Sequence, residues 1–131
     1  MTNTPLSGEL MDLFVEETQQ MIAKMRQGLT TLMERQDSDD VSATLKTFAR
    51  CAHTIAGSSG MAGFDDLQEL ARGLEQVLRK QAEAGEVDAS LLQPLSEAID
   101  ACEYLLNGER IDHTKALNHL AGMTPEGLRR G

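Results

Sequence analysis

His53 is the residue of this 131-residue chain whose type and surroundings best suit chemistry. An imidazole held in solvent can act as a nucleophile near neutral pH. It can accept a phosphoryl group on one ring nitrogen if that nitrogen is unprotonated and the other is fixed as a hydrogen-bond donor. The neighbours of His53 one helical turn away are small, with Ala49 at i−4, Ala56 at i+3 and Gly57 at i+4, while Arg50 stands at i−3. A glycine inside a helix is worth roughly 1 kcal/mol less than Ala, and residues that break a local rule gather at functional sites. Close approach by another protein is the simplest compensation. Residues 41–64 also hold Lys46 and Arg50 but no Asp or Glu. In a chain of formal net charge −9, that gap marks a face suited to an acidic partner or a phosphate.

The ring needs an orienting carboxylate, and Glu75 is the candidate. It lies on the flank of the next apolar stripe and can approach His53 if the two helices pack antiparallel. A plainer role for Glu75 is an i,i+4 ion pair with Arg79 on a solvated face. His113 and His119, near the C-terminal end, are read as inert helix-surface residues.

The elements that must position these groups are helices. Apolar residues recur at spacings of three and four over residues 9–34 (Leu10, Leu13, Phe14, Met21, Met25, Leu29, Leu32) and residues 41–59 (Val41, Leu45, Phe48, Ala52, Ile55). The run at 36–40 reads as a turn with capping side chains, and Gly57, Gly60 and Gly63 as the close of the second helix. A third helix is expected to start at a cap on Asp65 or Asp66 and to end near residue 84, before Gly85. Asp88 is expected to cap a fourth, carrying Leu92, Leu95, Ile99, Cys102 and Leu106, with Pro94 tolerated early in it. A short fifth covers 112–120. Four amphipathic segments with short polar turns predict an all-α antiparallel four-helix bundle with an additional short C-terminal helix. The domain is expected over residues 1–121, with 122–131 as a tail. On a wheel of 100° per residue, His53 stands roughly 120° from the centre of its stripe and faces solvent.

Composition supports this and excludes other classes. One Tyr, three Phe and no Trp leave few strand formers. The balance of 12 Lys plus Arg against 21 Asp plus Glu argues against nucleic acid and anionic membranes as partners. The N-terminal segment has neither the basic nor the apolar stretch of a signal peptide, so a cytoplasmic protein is expected. Cys51 and Cys102 lack metal-ligand spacing and fall in apolar-periodic segments, as reduced core thiols. There is no Gly-rich phosphate loop and no room beside the bundle for a kinase catalytic domain, so no nucleotide site is expected. A metal-carboxylate bundle enzyme would need Glu-x-x-His pairs that the chain lacks.

The segment from Ala52 to Phe64, AHTIAGSSGMAGF, resembles the signature of histidine-phosphotransfer domains. That signature has a histidine, an aliphatic residue two later, Gly at +4, small residues and then Gly-Phe. The runs Leu13 to Thr18 and Leu67 to Glu75 are similar to the corresponding parts of the N-terminal phosphotransfer domain of chemotaxis histidine kinases, and the likeness covers roughly residues 9 to 108. It implies a four-helix bundle with an additional helix, His53 as phosphoacceptor and Glu75 as the carboxylate that orients it. It also implies docking of kinase or receiver domains around Gly57, Ser58 and Gly60. One departure stands out: family members usually carry Lys three residues after the histidine, where this chain has Ala56. Arg50, Lys46, Arg72 and Arg79 are the candidates to replace its charge, and Arg72 itself stands where the chemotaxis kinases often have a histidine.

The resulting expectation is a phosphoryl carrier without a cofactor of its own, monomeric, using magnesium supplied by the partner. The donor is a histidine kinase ATP-binding domain or a phospho-receiver, and the acceptor a response-regulator receiver aspartate. Both a free-standing carrier and the N-terminal piece of a chemotaxis-type kinase fit. The rival expectation is a bundle that binds and inhibits a kinase or receiver without carrying phosphate.

Overall fold

The computed structural model describes residues 8–34 and 41–122. They form helices α1 (Gly8–Glu34), α2 (Val41–Ala62), α3 (Asp65–Ala84), α4 (Leu92–Leu106) and α5 (His113–Gly122), with a 3-10 turn at Ala89–Leu91 before α4. No strand occurs among the described residues. The expected turn at 36–40 lies outside them, as does the expected tail apart from Gly122, which is the last residue of α5.

The cross-helix pairs fix the topology. Gly28 faces Phe48 and Phe14 stacks near Phe64 at 5.1 Å between ring centroids, so α1 and α2 run antiparallel. Ser42 bonds the Ala82 carbonyl, His53 meets Glu75 and Gln68 bonds the Ala56 carbonyl, so α2 and α3 do likewise. Arg26 of α1 reaches Asp100 and Glu103 of α4, closing the ring of four. The result is the antiparallel four-helix bundle. The additional helix α5 lies along α3 and α4, with Leu117 against Gly73 and His119 paired to Glu97. A Cβ at Gly73 would run into the Leu117 side chain, so this glycine sets how closely α5 approaches.

The core is one aliphatic cluster that includes Met25, Leu45, Phe48, Ile55, Leu70, Leu74, Leu78, Leu95 and Ile99, all buried. In α1 the buried line is Phe14, Thr18, Ile22, Met25, Leu29 and Leu32. Leu10 and Leu13, expected on this stripe, are exposed: Leu13 is one residue, hence about 100°, from Phe14, and both cannot face the core. Cys51 and Cys102 are free and buried. Burial pushes the Cys102 thiol up to about 12, which leaves it a packed apolar group.

Local chemistry sets the helix ends differently from the expectation in two places. Helix α2 runs three residues past Ser59, with Gly57 and Gly60 inside it, because only Gly63 adopts a left-handed conformation, at φ 85°. There Phe64 N donates to Ser59 O at 2.9 Å and Gly63 N to Gly60 O at 3.3 Å, a Schellman closure. That closure makes Phe64 the N-cap of α3, without a side-chain cap bond. Asp65 and Asp66 sit in the first helical turn instead, where their charge favours the positive end of the helix dipole. Asp88 accepts a bond from Ser90 N at 2.9 Å, so it caps the 3-10 turn that leads into α4 rather than α4 itself. Pro94 lies in the first turn of α4, where its missing N–H has no intrahelical partner to lose.

Candidate functional site

Phe48, Ala52 and Ile55 turn one side of α2 into the core, which leaves His53 on the other, its side chain 69% exposed. Opposite stands Glu75, half-buried at 14% because Leu74 and Leu78 draw its helix inward. His53 Nδ1 lies 3.2 Å from Glu75 Oε1 and 3.1 Å from Oε2. Arg79, one turn on, donates from Nε to Oε2 at 2.7 Å, with an Nη at 2.7 Å from the same oxygen. The two contacts weighed for Glu75, to the His53 ring and to Arg79 at i+4, therefore coexist on one carboxylate.

The electrostatics fix the tautomer. Burial by itself pushes the Glu75 carboxyl up, but the hydrogen bonds from Arg79 and His53, with their charges, hold it below the usual range. Near neutral pH Glu75 is a carboxylate and can only accept, so Nδ1 is the ring nitrogen that donates, and in the neutral ring the lone pair is on Nε2. A depressed carboxyl contributes stability that is complete above its ordinary value of 4.5 and lost as pH falls through the lower folded value. The urea midpoint is therefore expected to drop below about pH 4.5, and Glu75→Gln should flatten that drop. An equally steep decline in the variant would show that other carboxylates dominate.

The residues expected to form the docking face separate by depth. Ala49 and Ala56 are 0% and 4% exposed. They are the floor beneath the ring and cannot themselves be touched, because each also faces the core. Gly60 is half-buried under Gln68, whose amide donates to Ala56 O at 3.2 Å. A Cβ at Gly60 would run into that amide, so this glycine serves the α2–α3 packing. The Ser58 hydroxyl turns back to Thr54 O at 3.0 Å. Gly57 is different: it is exposed, and a Cβ there would meet nothing within 4 Å. Gly57→Ala is expected to raise stability by about 1 kcal/mol in urea unfolding, whereas an unchanged or lower midpoint would reveal an internal need for glycine.

The cations also divide. Arg50 is exposed on α2. Lys46 and Arg79 line one depression with Ser42, Ala49, Ala82 and Glu83. Arg72 lines another, with Gln68, Gly73, Gln76 and Leu117, between α3 and α5. Sequence reasoning missed the bond of Gln68, the burial of His113 and the pairing of His119. His113 is buried with Nε2 at 3.2 Å from Glu69 but without a hydrogen bond to it, and His119 Nδ1 is 2.6 Å from Glu97. The Glu97–His119 separation equals that of His53 and Glu75, 22 residues, a signal that was open to inspection. Among the described residues no group of His, Cys, Asp and Glu is placed to hold a metal ion, and no helix is long and apolar enough to cross a membrane.

The bundle thus holds the His53 imidazole by Nδ1 and turns it toward solvent. The chain belongs to the Hpt domain family, whose model matches residues 9–119. Domains of this family act in phosphorelays as phosphocarriers rather than as enzymes, and interact with response-regulator receivers. No match is found among curated proteins or among solved structures.

Proposed function

We propose that His53 is the phosphoacceptor of this domain, taking the phosphoryl group on Nε2 from a histidine kinase ATP-binding domain or a phospho-receiver and passing it to a receiver aspartate. The observation that carries the reading is the hold of Glu75 on Nδ1, which leaves the nucleophilic nitrogen at the exposed edge of a ring in solvent. When Nε2 forms its bond to phosphorus, the ring becomes an imidazolium, and the Glu75 carboxylate is already in place against that charge. Met61, one turn beyond Gly57 and 79% exposed, adds apolar surface suited to a protein partner. Magnesium, which screens charge in the in-line transfer, is expected from the partner's site. The proposed setting is a cytoplasmic relay with a monomeric carrier, in the manner of the N-terminal domain of chemotaxis histidine kinases or of a free-standing protein.

The test is to mix the domain with a panel of phosphorylated receivers and to map the label by peptide mass and NMR. Label on His53 Nε2 is the expected result. Tight receiver binding without any label would instead favour an inhibitory bundle, the reading that Ala56, in place of the customary lysine, would fit.

A further inference from the structure

The basic residues around His53 differ in the direction they lean. In an α-helix the side chains tilt toward the N-terminus and cover the turn before their own Cα. A cation on α2 that is to cover the His53 ring must therefore stand one turn after it, and those positions are Ala56 and Gly57. Lys46 and Arg50 stand before His53, where the same tilt directs a side chain away from it. Helix α3 runs the other way. Arg79 stands one turn after Glu75 and leans back over it, as its bonds to Glu75 Oε2 record. Arg72 stands before Glu75 and leans toward Gly73 and Leu117.

From this geometry we infer that Arg79 is the cation that faces the phosphoryl group at His53, in place of a lysine on α2; the inference rests on the carrier reading of His53. The Arg79 side chain is 56% exposed. A guanidinium has five N–H donors, and the pair with Glu75 engages only Nε and one Nη. As Nε2 forms the N–P bond, the bond from phosphorus to the donor's leaving atom breaks and that atom takes the electron pair, while the ring keeps its Nδ1 proton. The three phosphoryl oxygens then arrive at the solvent-facing edge of the ring, across from the Nδ1 edge that the carboxylate holds. Arg79 neutralises that carboxylate at Oε2, the same oxygen that His53 Nδ1 approaches, and its free N–H groups supply donors to the incoming oxygens, so one side chain offsets the repulsion and binds the charge.

Phosphoramidate tests this without a protein partner. Its nitrogen is already protonated and leaves as ammonia when the P–N bond breaks, and phosphohistidine is read by phosphorus NMR. Arg79→Ala is expected to slow labelling of His53 by about tenfold or more, the size of one charge-assisted contact. Arg79→Lys should restore most of the rate and Arg79→Gln little of it. Arg79→Ala should also slow labelling further in a Glu75→Ala background, where positioning of the carboxylate no longer matters. A wild-type rate in Arg79→Ala, or no further loss in the double variant, overturns the inference while leaving the carrier reading intact. Failure of the wild-type protein to label on His53 overturns both.

Discussion

Replacing His53 with Gln is expected to reduce acid-labile phosphorylation to background while leaving the fold in place. Glutamine keeps a similar reach but has no nitrogen lone pair free to attack phosphorus, so the acceptor chemistry is lost outright. The fold should not notice, because the His53 side chain is largely solvent-exposed and such surface substitutions usually stay within about 0.5 kcal/mol. Thermal unfolding and phosphoryl labelling of the same preparation separate the two effects. Label that persists would move the acceptor elsewhere. His119 would then be examined first, since Glu97 holds its Nδ1 as Glu75 holds that of His53, whereas His113 is buried.

The second large effect is expected at Glu75. Glu75→Ala removes both the hold on the tautomer and the charge opposite the developing imidazolium. A loss on the order of 10²-fold in the rate of labelling is expected, comparable to removing a positioned acid–base group. Glu75→Gln should fall between, because its amide oxygen still accepts from Nδ1 but carries no charge. The same variants also lose the i,i+4 pair with Arg79, worth a few tenths of a kcal/mol, and the bond to the exposed His53 ring, so at neutral pH the change in stability should be small beside the change in rate. Initial rates of transfer from a phospho-receiver decide the matter: an unchanged rate in Glu75→Ala would reduce the carboxylate to an ion-pair partner of Arg79.

Much of this arrangement was legible in the chain. The spacing of Leu45, Phe48, Ala52 and Ile55 placed His53 outward, and a short Gly-rich turn with an antiparallel third helix brought Glu75 opposite. Periodicity reports which face a residue occupies, and that was enough for both. It does not report what packs across the gap. Gly57 and Gly60 look alike in sequence, yet only Gly60 lies under a neighbouring side chain. Ala49 and Ala56 belong to the site and to the core at once, a double role that a helical wheel cannot divide. The caps erred for a related reason: Asp65 and Asp66 are good N-caps in isolation, but the closure of α2 at Gly63 had already committed Phe64. Nothing local to Gly73 announced the approach of Leu117 from α5.

Gly57 has a wider consequence. It is the one glycine beside the ring that no internal contact, turn or backbone conformation requires, so by the logic of the chain alone it is a defect. Optimising this domain for thermal endurance would fill that position early. The methyl group gained would project into the space through which a docking surface must travel to reach Nε2. With His53 as the proposed phosphoacceptor, robustness and turnover compete at a single backbone position, and the unfilled notch is what the relay partner would need.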